Sequence, residues 1–148
     1  MSADSDLMQL YSSKILALTA TIPDFKHLEN PQATVKRRSP LCGSTVLVEV
    51  NIHDGIVSEF AQQVRACALG QAAAAVVGSV VIGLTLEQID QARDELNNML
   101  TQGAPAPNPP FEQLHVLQPA RDFKNRHASI MLSLEATSEA VSIASRAE

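Results

Sequence analysis

The chain has 148 residues, 45% of them hydrophobic, which suits one packed domain with a sizeable core. A formal net charge of −5, only 3% aromatics and no Trp exclude a general nucleic-acid binder, which needs a basic face or a base-stacking platform. Two cysteines exclude a disulfide scaffold and leave a reducing, cytoplasmic setting as the default, where free thiols serve metals or catalysis. Met1 to Asp6 is acidic and polar, unlike a signal or transit peptide.

In chain order, Leu7, Leu10, Tyr11, Ile15 and Leu18 recur at helical spacing and predict an opening amphipathic helix that Pro23 ends. A loop with Asn30-Pro31 follows. The basic run Lys36-Arg37-Arg38 reads either as a solvated strand or loop, or as a docking patch for an acidic partner. From Thr45 to Asn51 the residues alternate, with Val46, Val48 and Val50 on one face, so a half-buried strand is expected. His53-Asp54-Gly55 places Asp-Gly between two β-prone runs, a hairpin signal. The return strand runs from Ile56 to Val64, with Ile56, Phe60 and Val64 in phase.

Ala66 to Leu84 is almost uninterrupted apolar sequence, long enough to test as a membrane span. It carries Gln71, Ser79 and three glycines, much of it is Ala, and no second span follows. A buried central helix over Ala68 to Ile82, closed by Gly83, is the better reading. Thr85-Leu86-Glu87-Gln88 reads as a capping box. The helix it opens carries Leu86, Ile89, Leu96, Met99 and Leu100 on one side, and Gly103 stands at the expected C-cap. Residues 103–110 hold Pro105, Pro107, Pro109 and Pro110 and predict an exposed, non-helical connector within the single domain 1–148. A last helix begins near His127 or Ala128, with Ile130, Leu134, Val141 and Ala144. The order helix, antiparallel strands, helices is α+β.

No Gly-Lys-Ser/Thr phosphate loop, Gly-x-Ser-x-Gly elbow or Cys-x-x-Cys pair is present. The chemistry left is two cysteines and four histidines. Cys42 lies in a turn before the first clear strand, and Cys67 lies where the return strand meets the Ala-rich helix. The hairpin between them brings both to one end of the sheet. A helix N-terminus at Cys67 favours thiolate, the form that binds metal or attacks sulfur. Two buried structural cysteines remain the other reading. His27, His53 and His115 carry no site signal, and His53 belongs to the solvated hairpin turn.

Asn30-Pro31, Pro40-Leu41-Cys42-Gly43, the hairpin ending in His53-Asp54-Gly55 with Phe60 following, and Arg65-Ala66-Cys67-Ala68-Leu69-Gly70 at the head of an Ala-rich helix together resemble the IscU/NifU/SufU family of iron–sulfur scaffolds, over almost the whole chain. The resemblance implies a SufE/NifU-like fold: a small antiparallel sheet, a meander of about three strands, packed against several helices. His127, in Arg126-His127-Ala128-Ser129-Ile130, stands where the family has its third Cys, and Ser44 where it has Asp. The gap between Cys67 and His127, lengthened by the Pro-rich segment, is closer to the SufU branch. The resemblance implies Cys42 and Cys67 as the reactive thiols, and Cys42, Cys67 and His127, with Ser44 at the vacated Asp position, as ligands of iron, a transient [2Fe–2S]-type iron–sulfur cluster or zinc. It implies a cysteine desulfurase and client apo-proteins as partners, with no nucleic acid and no membrane. The expected function is a scaffold or sulfur acceptor more than an enzyme. The alternatives are a zinc-bound sulfur-transfer partner of the desulfurase and a degenerate regulatory homologue.

Overall fold

The structure, a computed structural model, describes residues 12–40 and 43–147. Leu7, Leu10 and Tyr11 of the predicted first helix, and Cys42, lie outside the described residues. Helix α1, Ser13–Thr19, starts where the Ser12 hydroxyl accepts from the Ile15 N–H. Three antiparallel strands follow: β1, Ala33–Arg38; β2, Thr45–His53; and β3, Ile56–Arg65. They form one sheet in the order β1-β2-β3. Then come α2, Ala68–Val80; α3, Leu86–Gln102; 3-10 turns over Glu112–Asp122 and Lys124–Arg126; and α4, His127–Ala147. The α+β architecture and three-strand meander are as the sequence predicts.

The β2–β3 hairpin turns on Asp54 and Gly55, with φ of 52° and 75°, the pair of positive angles that makes Asp-Gly favourable in a two-residue hairpin. The return strand departs from the expected phase. Asn51 pairs with Glu59, but Ile52 pairs with Val57, so one extra residue bulges out of β3. Val57 therefore enters the core at 1% exposure, and Ile56 turns outward at 42%. Phe60 and Val64, beyond the bulge, keep the expected inward phase.

Helix α4 lies across the inner face of the sheet against β1 and β2, flanked by α2 and α3, while α1 packs on α2. The interior is aliphatic: Val46, Val48 and Val50 of β2 meet Ile130 and Leu134 of α4 in one cluster with Leu69, Ala73 and Val76 of α2. Helix α2 is buried from Leu69 to Val77 apart from Gln71, as a central helix requires. Among the described residues no helix is long and apolar enough to cross a membrane. Gln62, nearly buried on β3, ties three elements together: its amide N–H donates to the Ala74 carbonyl at 2.8 Å, and its oxygen accepts from the Ser133 hydroxyl at 3.0 Å. The capping box at Thr85 and Gln88 forms, and Gly103 closes α3 in a left-handed conformation. Residues 103–110 run without helix or strand, but Pro107 is buried and Ala106 packs on the core. The expectation of a fully exposed connector is corrected there. Glu95 holds the segment in place by accepting from both N–H groups of Asn108.

The segment from Ile22 to Gln32 is a strap. It runs beside Phe60–Gln62 of β3 and crosses to the outer face of β2. There Glu49, 4% exposed, accepts from the Leu28 N–H at 2.9 Å and meets His27 Nδ1 at 3.0 Å. Burial pushes the Glu49 carboxyl up. The His27 bond and charge, the Leu28 N–H and the Thr34 hydroxyl outweigh it and hold the carboxyl below its ordinary value. A group with a depressed folded value contributes stability that is present above the unfolded value, about 4.3, and lost as pH falls through the folded one. The urea midpoint of the unmodified chain should therefore exceed that of Glu49→Gln near pH 7, with the gap closing below about pH 4. A gap independent of pH would show that the charge of Glu49 does not hold the strap.

Candidate functional site

Cys67 is the N-cap residue of α2 and is half buried. The turn leaving β3 holds it in place. Its carbonyl accepts from the Gln71 N–H at 2.9 Å, and the Gln71 amide reaches back to the Ala66 carbonyl at 2.8 Å. Cys67 therefore stands at the positive end of a helix of 13 residues, as the sequence predicts.

The side chain facing its sulfur is one the sequence reading did not select. Ser129 Oγ lies 3.5 Å from Cys67 Sγ and 3.1 Å from Ser44 Oγ. Ser129 and Ser44 are 2% and 6% exposed, so this is a nearly dry pair of hydroxyls against a thiol that is only partly covered. Ser44, expected at the site, reaches it through the turn between β1 and β2, where the Ser39 N–H donates to the Ser44 carbonyl at 2.8 Å. Cys42, also expected at the site, lies outside the described residues. Gly70 makes the close approach of α4 possible. A Cβ there would stand 2.5 Å from Ser129 Oγ and 3.1 Å from the Ser129 carbonyl oxygen. A signal for Ser129 existed in the sequence: a small polar residue in the apolar first turn of the last helix, with a glycine near the head of its partner.

His127 opens α4 two residues before Ser129, so their side chains leave the helix about 200° apart. Ser129 faces Cys67, and His127 faces the 3-10 segment. It lines a depression with Leu100, Thr101, Arg121, Asp122 and Lys124. Its Nε2 lies 2.9 Å from the Ala120 carbonyl. A carbonyl only accepts, so Nε2 carries the proton and neutral His127 keeps its lone pair on Nδ1. A backbone carbonyl taking the other ring N–H is the arrangement that fixes metal-ligating histidines. Among the described residues no three His, Cys, Asp or Glu side chains come together as a metal site. The structure brings Cys67, Ser44 and Ser129 together and leaves His127 on the far side of the first turn. His53 is exposed in the hairpin turn beside Asp54, as expected, and His27 belongs to the strap.

No protein-family model matches the chain, and no curated protein matches it. Solved structures do. The crystal structure of the N-terminal part of a nitrogen-fixing NifU-like protein from Brucella abortus is 36% identical, with a TM-score of 0.92 over 97% of this chain and 99% of that one. The chain belongs to the NifU-like family. A structure from the thermophile Fervidobacterium islandicum AW-1, described as a candidate iron–sulfur cluster assembly scaffold protein for the SUF system, shares the fold at 17% identity. Its TM-score is 0.79 over 90% of this chain and 98% of that one. For a NifU-like domain, the half-buried thiol at the head of α2 is the feature around which the rest of the site is arranged.

Proposed function

We propose that this NifU-like domain is a scaffold or sulfur acceptor in iron–sulfur cluster assembly, working through Cys42 and Cys67, with His127 as third ligand and Ser44 at the fourth position. The reading is carried by Cys67, an accessible thiol at the positive end of α2 with two buried hydroxyls behind it. The cluster is cargo, bound for release. Two thiolates and an imidazole suit iron, a [2Fe–2S]-type cluster or zinc. In the structure His127 Nε2 lies on the Ala120 carbonyl, a bond that has to break before the imidazole can act as a ligand. Reaching the thiols requires the first turn of α4 to turn about its axis, since His127 faces the 3-10 segment in the structure.

For the sulfur step, Cys67 thiolate attacks the outer sulfur of a persulfide on a cysteine desulfurase. A new S–S bond forms on Cys67, the partner's S–S bond breaks, and the partner's cysteine leaves as thiolate. Ser129, able to donate to Cys67 Sγ, holds the thiolate aimed outward, and Ser44 fixes the Ser129 hydroxyl. Client apo-proteins are the destination of the cluster.

Anaerobic reconstitution with ferrous iron and sulfide should give visible charge-transfer absorbance in the unmodified chain. No chromophore, and no iron retained after desalting, would sink the scaffold reading. A second reading is favoured by Ser129 being the side chain that faces Cys67: a sulfur acceptor whose thiols are held by zinc, without an assembled cluster. Zinc near one per chain and faster desulfurase turnover on adding this protein would distinguish it.

A further inference from the structure

The basic run Lys36-Arg37-Arg38 is divided by strand alternation. Arg37 points to the inner face and reaches Glu139 of α4 at 3.3 Å. Lys36 and Arg38 are exposed on the outer face. There Arg38 pairs in register with Thr45, and Thr45 with Arg65 of β3. Lys36 pairs with Leu47, and Leu47 with Gln63. Lys36, Thr45, Leu47, Gln63 and Arg65, with Gly43, border a shallow depression of about 360 Å³, and Arg38 stands beside it in the register. The strap bonds to the outer face at Glu49, and its first residues, Ile22 to Phe25, border the β3 edge beside Gln63 and Arg65; no strap residue borders the depression itself. None of Lys36, Arg38 and Arg65 has an ion pair among the described residues. In a chain of net charge −5, three uncompensated cations on one sheet face are not a consequence of composition. The nearest carboxylate in the register is Glu49, which is buried and bonded to the strap; Asp24 of the strap borders the β3 edge with Arg65 without forming an ion pair with it among the described residues.

We propose that this part of the outer sheet face is a docking surface for an acidic, extended segment of another protein. Spacing decides the occupant. Lys36 and Arg38 stand two residues apart on one strand, about 7 Å, and Arg38 and Arg65 stand two strands apart, about 10 Å. Cations so separated do not converge on one phosphate-sized anion. They match the carboxylates of an extended chain, whose alternate side chains repeat at about 7 Å, and the half-buried Leu47 gives the segment an apolar floor. Nucleic acid is disfavoured because no aromatic side chain borders the depression for a base to stack on, and three cations neutralise few phosphates. The surface adjoins Cys67: Arg65 is two residues before it, and Arg38 precedes the turn that brings Ser44 to the site. A partner seated there lies beside Cys67. The surface does not require that Cys67 binds a metal, so its failure and the failure of the scaffold reading are separate results.

The test uses the full chain and a fluorescent peptide of six Glu-Ser repeats, followed by anisotropy at low and high salt. Binding should weaken by about tenfold or more in the Lys36→Glu/Arg38→Glu/Arg65→Glu variant, and by less in the corresponding triple Gln variant. It should also fall as salt rises. Arg121→Glu/Lys124→Glu, which alters cations of the 3-10 segment that do not border this depression, should bind as the unmodified chain does. Circular dichroism melting checks that each variant is folded. Equal binding by the Glu triple variant, equal loss in the Arg121/Lys124 control, or tighter binding of a single-stranded oligonucleotide of matched charge would each overturn the proposal.

Discussion

Cys67→Ala should abolish the chromophore formed on anaerobic reconstitution, whereas His127→Ala should retain it at reduced iron affinity. The asymmetry follows from geometry. Cys67 is fixed at the head of α2 by the Gln71 bonds and supplies a thiolate, the strongest donor in the set. His127 supplies one nitrogen and has to swing from the far side of α4, so its contribution is what remains after that movement. Loss of an outer group that only orients a ligand costs about 10- to 100-fold in metal affinity, and His127→Ala, which removes a ligand itself, should cost at least about tenfold. Ser129→Ala should leave the iron content near that of the unmodified chain but slow alkylation of Cys67 by iodoacetamide at neutral pH, because the hydroxyl able to donate to the thiolate is gone. Full chromophore in Cys67→Ala would remove the thiol from the site. Unchanged iron affinity in His127→Ala would remove the imidazole and leave the hydroxyl-flanked thiols as the whole of the chemistry.

The fold was largely legible because its signals are local. Asp54-Gly55 dictates the hairpin, Thr85 and Gln88 dictate a helix start, and the Ala-rich run dictates a central helix that others approach closely. What escaped was set by tertiary structure. The bulge after Asn51 that turns Ile56 outward has no composition of its own, since β-branched residues stand on both sides of it. Strand β1 is legible only as a solvated strand or loop, or as a docking patch, because Arg37 stands at the inward position after Ala33 and Val35 and breaks their apolar alternation. The 3-10 run over Glu112–Asp122, with Pro119 inside it, has too short a period to show as a helix. At the site, the position of Cys67 at a helix head followed from residue order. The rotation of α4 that presents Ser129 in place of His127 did not, because a helix start read to within one residue leaves its facing side undetermined by about 100°.

Gly70→Ala should lower the melting temperature and alter the reactivity of Cys67 together. Two opposed terms decide the size. Alanine is the better helix former by about 1 kcal/mol in a helix interior, and by less in a first turn. Overpacking a tight contact costs about 1–3 kcal/mol. The new Cβ would stand 2.5 Å from Ser129 Oγ, 2.9 Å from Ala66 Cβ and 3.1 Å from the Ser129 carbonyl oxygen. The hydroxyl can rotate away, but only by giving up its contacts with Ser44 Oγ and Cys67 Sγ. The carbonyl oxygen belongs to the α4 backbone and moves only if the two helices part. Packing therefore prevails, and a net loss of about 1–2 kcal/mol lowers the melting temperature of a domain this size by roughly 2–8 °C. Calorimetry and iodoacetamide alkylation on the same sample separate the two routes. In Gly70→Ala/Ser129→Ala the hydroxyl clash is removed while those with Ala66 Cβ and the Ser129 carbonyl remain. Recovery of the melting temperature in the double variant assigns the cost to the hydroxyl, and persistence of the loss assigns it to the Ala66 and α4 backbone contacts. A single variant that melts and alkylates as the unmodified chain does would mean that α4 can withdraw from α2 freely, and that the Ser129 contact with the thiol is incidental.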